Sequence, residues 1–428
     1  MSAAIPPLPP PSLDPRGMQD FADGEGPKTL RQNNFRVLYA SSVLVDFGLC
    51  LYFFMFSLFL VEHRFTERAI GFITASLTIG TIAGTLPASL LSRRFGLRAM
   101  MLAYTFAAPV CLAARVLFLG MQAQIGFAFL AGAAMSVWSV CFSPTLAKLT
   151  TRENRASGFS LFVATGIASG ALAGLIGGYL PGLIERGEKS MAHVDGIRVV
   201  LLMACAMASV ATFATLRLRL EEGVSRAGSR LFSSFLVRFL VAVAVWNFAI
   251  SFFTPFANVY LSRHLGLPLP RIGVISFVSQ SLTVLAVLLA PLLYRRAGIV
   301  LGIALTQLGT GVMLWGLSSA SGIKSATGMY VLLTALQWMG GAGISSLLMN
   351  RTPEDYRSHA AAMHNLVNLA AQAGAAALAG KAFEQYGYTR PLIANAAIAF
   401  LAAVLFYGFL RGSNQAAAGP AEGVPLGS

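Results

Sequence analysis

Charge is what this 428-residue chain lacks most: Asp, Glu, Lys and Arg make up only 11% of it, against 56% hydrophobic residues, where a soluble domain carries about a quarter charged. A water-soluble fold of this length needs a polar exterior that such a composition cannot supply. Cysteine is scarce too. Cys50, Cys111, Cys141 and Cys205 form no CxxC pair and no metal-ligand spacing, so they read as small apolar packing residues and exclude a structural metal site. The ten-residue segments of alternating hydrophobicity that mark a membrane barrel are missing. HExxH, GxSxG and paired intramembrane aspartates are also missing, which argues against a membrane enzyme.

What is present is a series of apolar runs about twenty residues long, the length of helix that crosses a bilayer core of roughly 30 Å. They predict spans near 37–61, 69–91, 99–120, 125–147, 157–183 and 197–217, then 236–261, 271–293, 299–318, 326–349, 360–383 and 391–410. The fold class is therefore all-α, with twelve transmembrane helices. An even number of spans puts both termini on one face. Of the 31 Lys and Arg residues, 20 fall in the terminal segments and even-numbered loops, 10 in the opposite loops, and Arg115 within a span, so both termini are expected in the cytoplasm of a plasma (inner) membrane protein. The net charge of +14 follows from this asymmetry. It is spread over short loops rather than gathered on a face, so no nucleic-acid partner is implied.

The chain repeats itself at a spacing of about 201 residues. SLLSRRFG at 89–96 lies over PLLYRRAG at 291–298, each after an even-numbered span. One residue out of that register, Asp46-Phe47 falls over Asn247-Phe248, and Leu60 and His63 fall over Leu261 and His264. Ile70-Gly71 returns to the first register over Ile272-Gly273, and Glu153 overlies Glu354. The division that results is a disordered tail over 1–29, a six-helix half over 30–217, a basic linker over 218–235, a second half over 236–411 and a tail over 412–428. Two parallel six-helix halves are a transporter architecture with its site where the halves meet.

SRRFGLR at 92–98 resembles the signature loop of the major facilitator superfamily, usually Gly-x-x-x-Asp-Arg-x-Gly-Arg-Arg. Arg94, Gly96 and Arg98 match, while Ser89, Arg93 and Leu97 stand at the usual Gly, Asp and first paired-Arg positions. The resemblance implies two pseudo-symmetric bundles, alternating access without a chemical reaction, and a charge cluster at this loop that latches the halves; the acid of that cluster is absent here. GALAGLIGG at 170–178 partly resembles the Gly-rich motif of drug/proton antiporters. Gly166, Gly170, Gly174 and Gly178 recur every four residues, which more simply lets helix backbones pack closely in lipid.

Polar residues at membrane depth mark the site, because each is costly unless it faces a cavity or a partner. Asp46 is the carboxylate expected near the centre of a span, as a protonatable coupling site, a counter-charge for a cationic substrate, or a helix-packing acid. Asn247, beside Trp246, holds the equivalent place in the seventh span, with Asn258 further along; such amides bind substrate or bridge helices. His364, Asn368 and Gln372 at i, i+4 and i+8 form a polar stripe on the eleventh span, and His364 is a second proton-relay candidate. Gln280, Gln307 and Gln337-Trp338 are weaker candidates. The resemblance places the first, fourth, seventh and tenth helices around the cavity, which raises Gln337, Trp338, Trp138 and Ser139 and lowers Gln307. Arg115, near the end of the third span, is expected to snorkel to the interface.

These residues point to proton-coupled export of a small neutral or cationic amphipathic compound, because no basic residue is expected at the cavity centre. Proton-coupled uptake of a polar nutrient and a non-transporting membrane sensor are the alternatives. The expected partners of a monomer are the lipid bilayer, a small-molecule substrate and the proton, with no cofactor and no metal.

Overall fold

The computed structural model describes residues 27–150, 155–187, 193–219, 233–353 and 356–411. Most of the linker and of the first tail, the whole of the second tail, and Glu153 and Glu354 of the repeat lie outside them. Among the described residues the chain is helical throughout, with no strand. Ten of the described helices are long and apolar enough to cross a membrane, and two further facts are consistent with twelve spans. Glu67–Leu117 runs 51 residues, about 76 Å at 1.5 Å per residue, more than twice a bilayer core, and it breaks at Gly96. Arg357–Tyr386 spans 30 residues but is too rich in Ala, Gly and polar side chains to stand out by hydropathy alone.

The spans in order are Pro27–Glu62, the two parts of Glu67–Leu117, Met121–Leu149, Arg155–Gly187 and His193–Leu216 in the first half. The second half contains Ser234–Phe253 with its continuation to His264, Leu269–Ala297, Ile299–Ser319, Ile323–Met339 with Gly341–Arg351, Arg357–Tyr386 and Thr389–Leu410. These follow the apolar runs closely. The first helix starts about ten residues earlier than its apolar run, at Pro27. Past the membrane edge it is held by a reciprocal pair: Asn34 Nδ2 donates to the Arg219 carbonyl at 2.6 Å, and the Arg219 N–H donates to Asn34 Oδ1 at 3.0 Å.

The break at Gly96 has a backbone reason. Its φ of 79° and ψ of 163° lie in a region essentially restricted to glycine. Gly298, its partner in the repeat, has φ 80° and ψ 157°, so the two short turns after the second and eighth spans share one conformation. Arg98 then donates from Nη2 to the Leu216 carbonyl at 2.7 Å, satisfying a carbonyl at the end of the sixth helix. The Arg94 guanidinium lies over its neighbour Phe95 at 5.4 Å. Arg98 thus ties the loop to its own half.

Each half buries large apolar side chains inward, such as Tyr52, Phe59 and Trp246, and turns others outward, such as Phe213 and Leu288, because the surrounding solvent is hydrocarbon. Where glycines of the two halves cross, backbone approaches backbone. A methyl group on Gly71 would lie 2.5 Å from the Ala376 carbonyl oxygen, and one on Gly273 would lie 2.6 Å from that of Gly174. The spacing of Gly170, Gly174 and Gly178 is therefore used for packing, against Gln280, Ser276 and Gly273 of the eighth span; Gly166 meets nothing.

Candidate functional site

Two helices lose regularity along the wall of one cavity. Pro255 lacks an N–H and cannot continue the hydrogen-bond ladder, so the seventh span passes from α-helix through a 3₁₀ turn at Thr254–Phe256 to a π turn at Tyr260–His264. The tenth span is interrupted at Gly340. Thr254, Pro255 and Asn258 of one, and Gly341, Ile344 and Ser345 of the other, contribute to the second half's share of the lining of a cavity of about 820 Å³ between the halves.

The expected residues converge on this cavity. Trp138, Ser139, Trp246, Asn247, Asn258, Gln337, Trp338, His364, Asn368 and Gln372 all line it. Part of the stripe on the eleventh span forms a connected network: Asn247 Nδ2 donates to Asn368 Oδ1 at 2.7 Å, and Asn368 Nδ2 lies 3.2 Å from His364 Nε2. Asn247 therefore bridges helices as well as facing the cavity. Asn258 also does both, donating from Nδ2 to the Phe54 carbonyl across the halves at 3.0 Å. Gln307 lies away from the cavity, fully buried within the second half.

Asp46 and Gln280 lie elsewhere. They line an adjoining pocket of about 430 Å³ with Cys50, Gly170 and Ser276, and among the described residues no Lys, Arg or His lines it. Phe53, Met135, Thr254, Asn258, Gln337 and Trp338 border both spaces. Equivalent positions in the repeat thus face two neighbouring pockets rather than one.

Arg115 departs from expectation. It is 2% exposed, lines the main cavity, and stacks over the Phe56 ring with its guanidinium carbon 4.1 Å from the centroid. Gln124 fixes its backbone by donating from Nε2 to the Arg115 and Phe118 carbonyls. The cavity has a basic residue after all. Position along the helix suggested the interface, but the side chain turns inward under the first helix. Also missed were Thr74, Thr78 and Thr81, whose i, i+4, i+7 spacing is itself a signal of one helix face.

One end of the cavity is sealed. Arg263 Nη1 lies 3.0 Å from Glu67 Oε1, and Nη2 donates to the Phe65 carbonyl at 2.9 Å. The Arg68 N–H donates to Glu384 Oε2 at 3.1 Å. All of these cross between halves, on the face opposite the termini.

A cavity closed at one end, between two six-helix bundles related by a repeat, is a transporter architecture. The chain belongs to the Major Facilitator Superfamily, whose family profile matches residues 38–376, and it is a multi-pass membrane transporter. No curated protein matches it in sequence. Its fold is similar to that of the nucleoside transporter NupG, with a TM-score of 0.71 at 14% identity over 89% of this chain and 99% of that one. It is also similar to a bacterial homologue of the human lysosomal transporter Spinster in an inward-facing, unoccupied conformation, with a TM-score of 0.71 at 11% identity over 90% and 98%. The inward-open xylose transporter XylE from E. coli gives a TM-score of 0.68 at 17% identity over 87% and 95%.

Proposed function

We propose that the protein is a proton-coupled secondary transporter that exports a small amphipathic compound by alternating access. The observation that carries this is the cavity of about 820 Å³ between the halves, walled by Trp138, Trp246 and Trp338 together with amides and hydroxyls. That volume and mixture suit a molecule with an apolar body and a few polar groups. The seal formed by Arg263, Glu67, Arg68 and Glu384 closes the face away from the termini. With the termini in the cytoplasm, as the distribution of basic residues implies, this conformation takes up its solute from the cytoplasm. Asp46, in a pocket without a basic partner, is the proposed proton carrier, and the His364–Asn368–Asn247 network is the proposed second polar element.

The test starts with a thermal-shift screen of purified protein against metabolites and drugs, since a ligand that binds the folded state raises its melting temperature. Each hit is then labelled and followed by counterflow in proteoliposomes. Saturable exchange, with uphill movement under an imposed pH gradient, is expected. Binding without exchange by every hit would overturn the transport reading.

A further inference from the structure

We propose that Arg115 is the anchor for an anionic group on the transported compound, a carboxylate or similar oxyanion on an otherwise apolar body. This rests on the central cavity being the substrate path, and it fixes the charge that the cavity selects.

The guanidinium is almost completely buried, yet it borders open space. Its Nε and Nη1 atoms have no hydrogen-bond partner, and between them they carry three of the five guanidinium donors. Among the described residues no Asp or Glu lines the same cavity, and Asp46 lines the neighbouring pocket. A guanidinium stays protonated in a protein, so a full positive charge stands at the cavity wall without a counter-ion. Leaving buried donors unmet is costly, and a charge without a partner is costlier than an apolar residue of the same volume. Packing alone would be served better by methionine.

The Phe56 ring covers one face of the guanidinium at 4.1 Å. It packs against the guanidinium, and a ligand that reaches the buried Nε and Nη1 would meet their unpaired donors. A preset planar fork is the geometry that recognises carboxylate oxygens. The rest of the cavity lining includes the apolar Phe53, Ile73 and Leu77 and hydroxyls at Ser57, Thr74 and Thr78. Each of the two threonines donates to a carbonyl of its own helix, so neither hydroxyl proton is directed at an acceptor in the cavity. Arg115 is the strong donor there.

The experiment measures thermal shifts of the purified full-length protein with matched sets of probes at neutral pH. The sets are naphthalene-2-carboxylate, octanoate and indole-3-acetate, each beside its primary amide and the corresponding amine. In the wild type the carboxylates are expected to bind about 10- to 100-fold more tightly than their amides, and the amines not at all. Arg115→Gln should abolish the preference for acid over amide, and Arg115→Lys should keep part of it. Equal responses to acid and amide in the wild type, or a preference that survives in Arg115→Gln, would overturn the proposal. The wild-type comparison needs no variant, so it stands if Arg115→Gln does not fold. Acid-selective binding without counterflow would sink the transport reading and leave the anion site; transport of a compound with no preference for acids would do the reverse.

Discussion

Replacing Arg263 by Met should unseal the closed end of the cavity. The Arg263 guanidinium reaches across from the second half to Glu67 at 3.0 Å and to the Phe65 carbonyl at 2.9 Å, while its contact with the Val61 carbonyl at 3.4 Å is too long to count for much. The two side chains are 29% and 15% exposed, so the pair is screened less than a surface pair but not fully desolvated. Two charge-assisted contacts of this kind contribute about 2 kcal/mol together. Both cross between halves, so the whole amount is lost when the halves part, and it acts directly on the conformational equilibrium. About 2 kcal/mol is roughly a 30-fold shift towards the state open at this face. Spin labels on the exposed residues Glu62 and Gln385, one on each half at this end, report the separation by pulsed electron resonance. The variant should populate a longer distance than the parent. Identical distance distributions would refute the reasoning and make the ion pair incidental to closure.

Asp46→Asn removes a titratable group at nearly constant size; it should abolish accumulation driven by a pH gradient in proteoliposomes while counterflow continues, and unchanged gradient-driven accumulation would dismiss the coupling role. Gly96→Ala and Gly298→Ala each force a side chain into a backbone region essentially closed to it, costing about 1–3 kcal/mol. Both should lower the melting temperature in detergent, and two unchanged values would contradict the conformational argument. A reporter fused after Arg411 should be active only if it works in the cytoplasm, and one inserted at Gly322 only if it works outside; the reverse pattern would invert the orientation and with it the direction of export.

The membrane spans could be read from the sequence because a single length, set by the bilayer, governs every one of them. The stripe of His364, Asn368 and Gln372 could be read because helical periodicity alone puts those residues on one face, and that face lines the cavity. Arg115 was misread for a complementary reason. Counting residues along a helix gives depth, but whether a side chain points to lipid or inward depends on rotation about the axis and on the neighbouring helix. Here that neighbour is the first helix, through Phe56. The pairing of Asp46 with Asn247 had the same limit. A repeat aligns positions in two halves, but Pro255 distorts the seventh helix with no counterpart in the first, and the two pockets that result are not equivalent.

The closed end combines two kinds of contact, and they have different consequences for movement. Gly71 against Ala376 and Gly380, and Gly273 against Gly174 and Gly178, are related by the internal repeat, so the second span of each half crosses the fifth span of the other. At both crossings the surfaces are backbone and small side chains, which interlock far less than a core of large residues. Such surfaces can separate or pivot without repacking the interior of either half. What favours closure is then concentrated in a few polar contacts, above all Arg263 with Glu67. The pocket of Asp46 is walled by Gly170, Ser276 and Gln280, residues of that same crossing between the fifth and eighth spans. On the proposed coupling, a proton gained or lost at Asp46 changes the charge beside a crossing that has little side-chain interlock to resist it. On that proposal the proton would act beside the crossing itself.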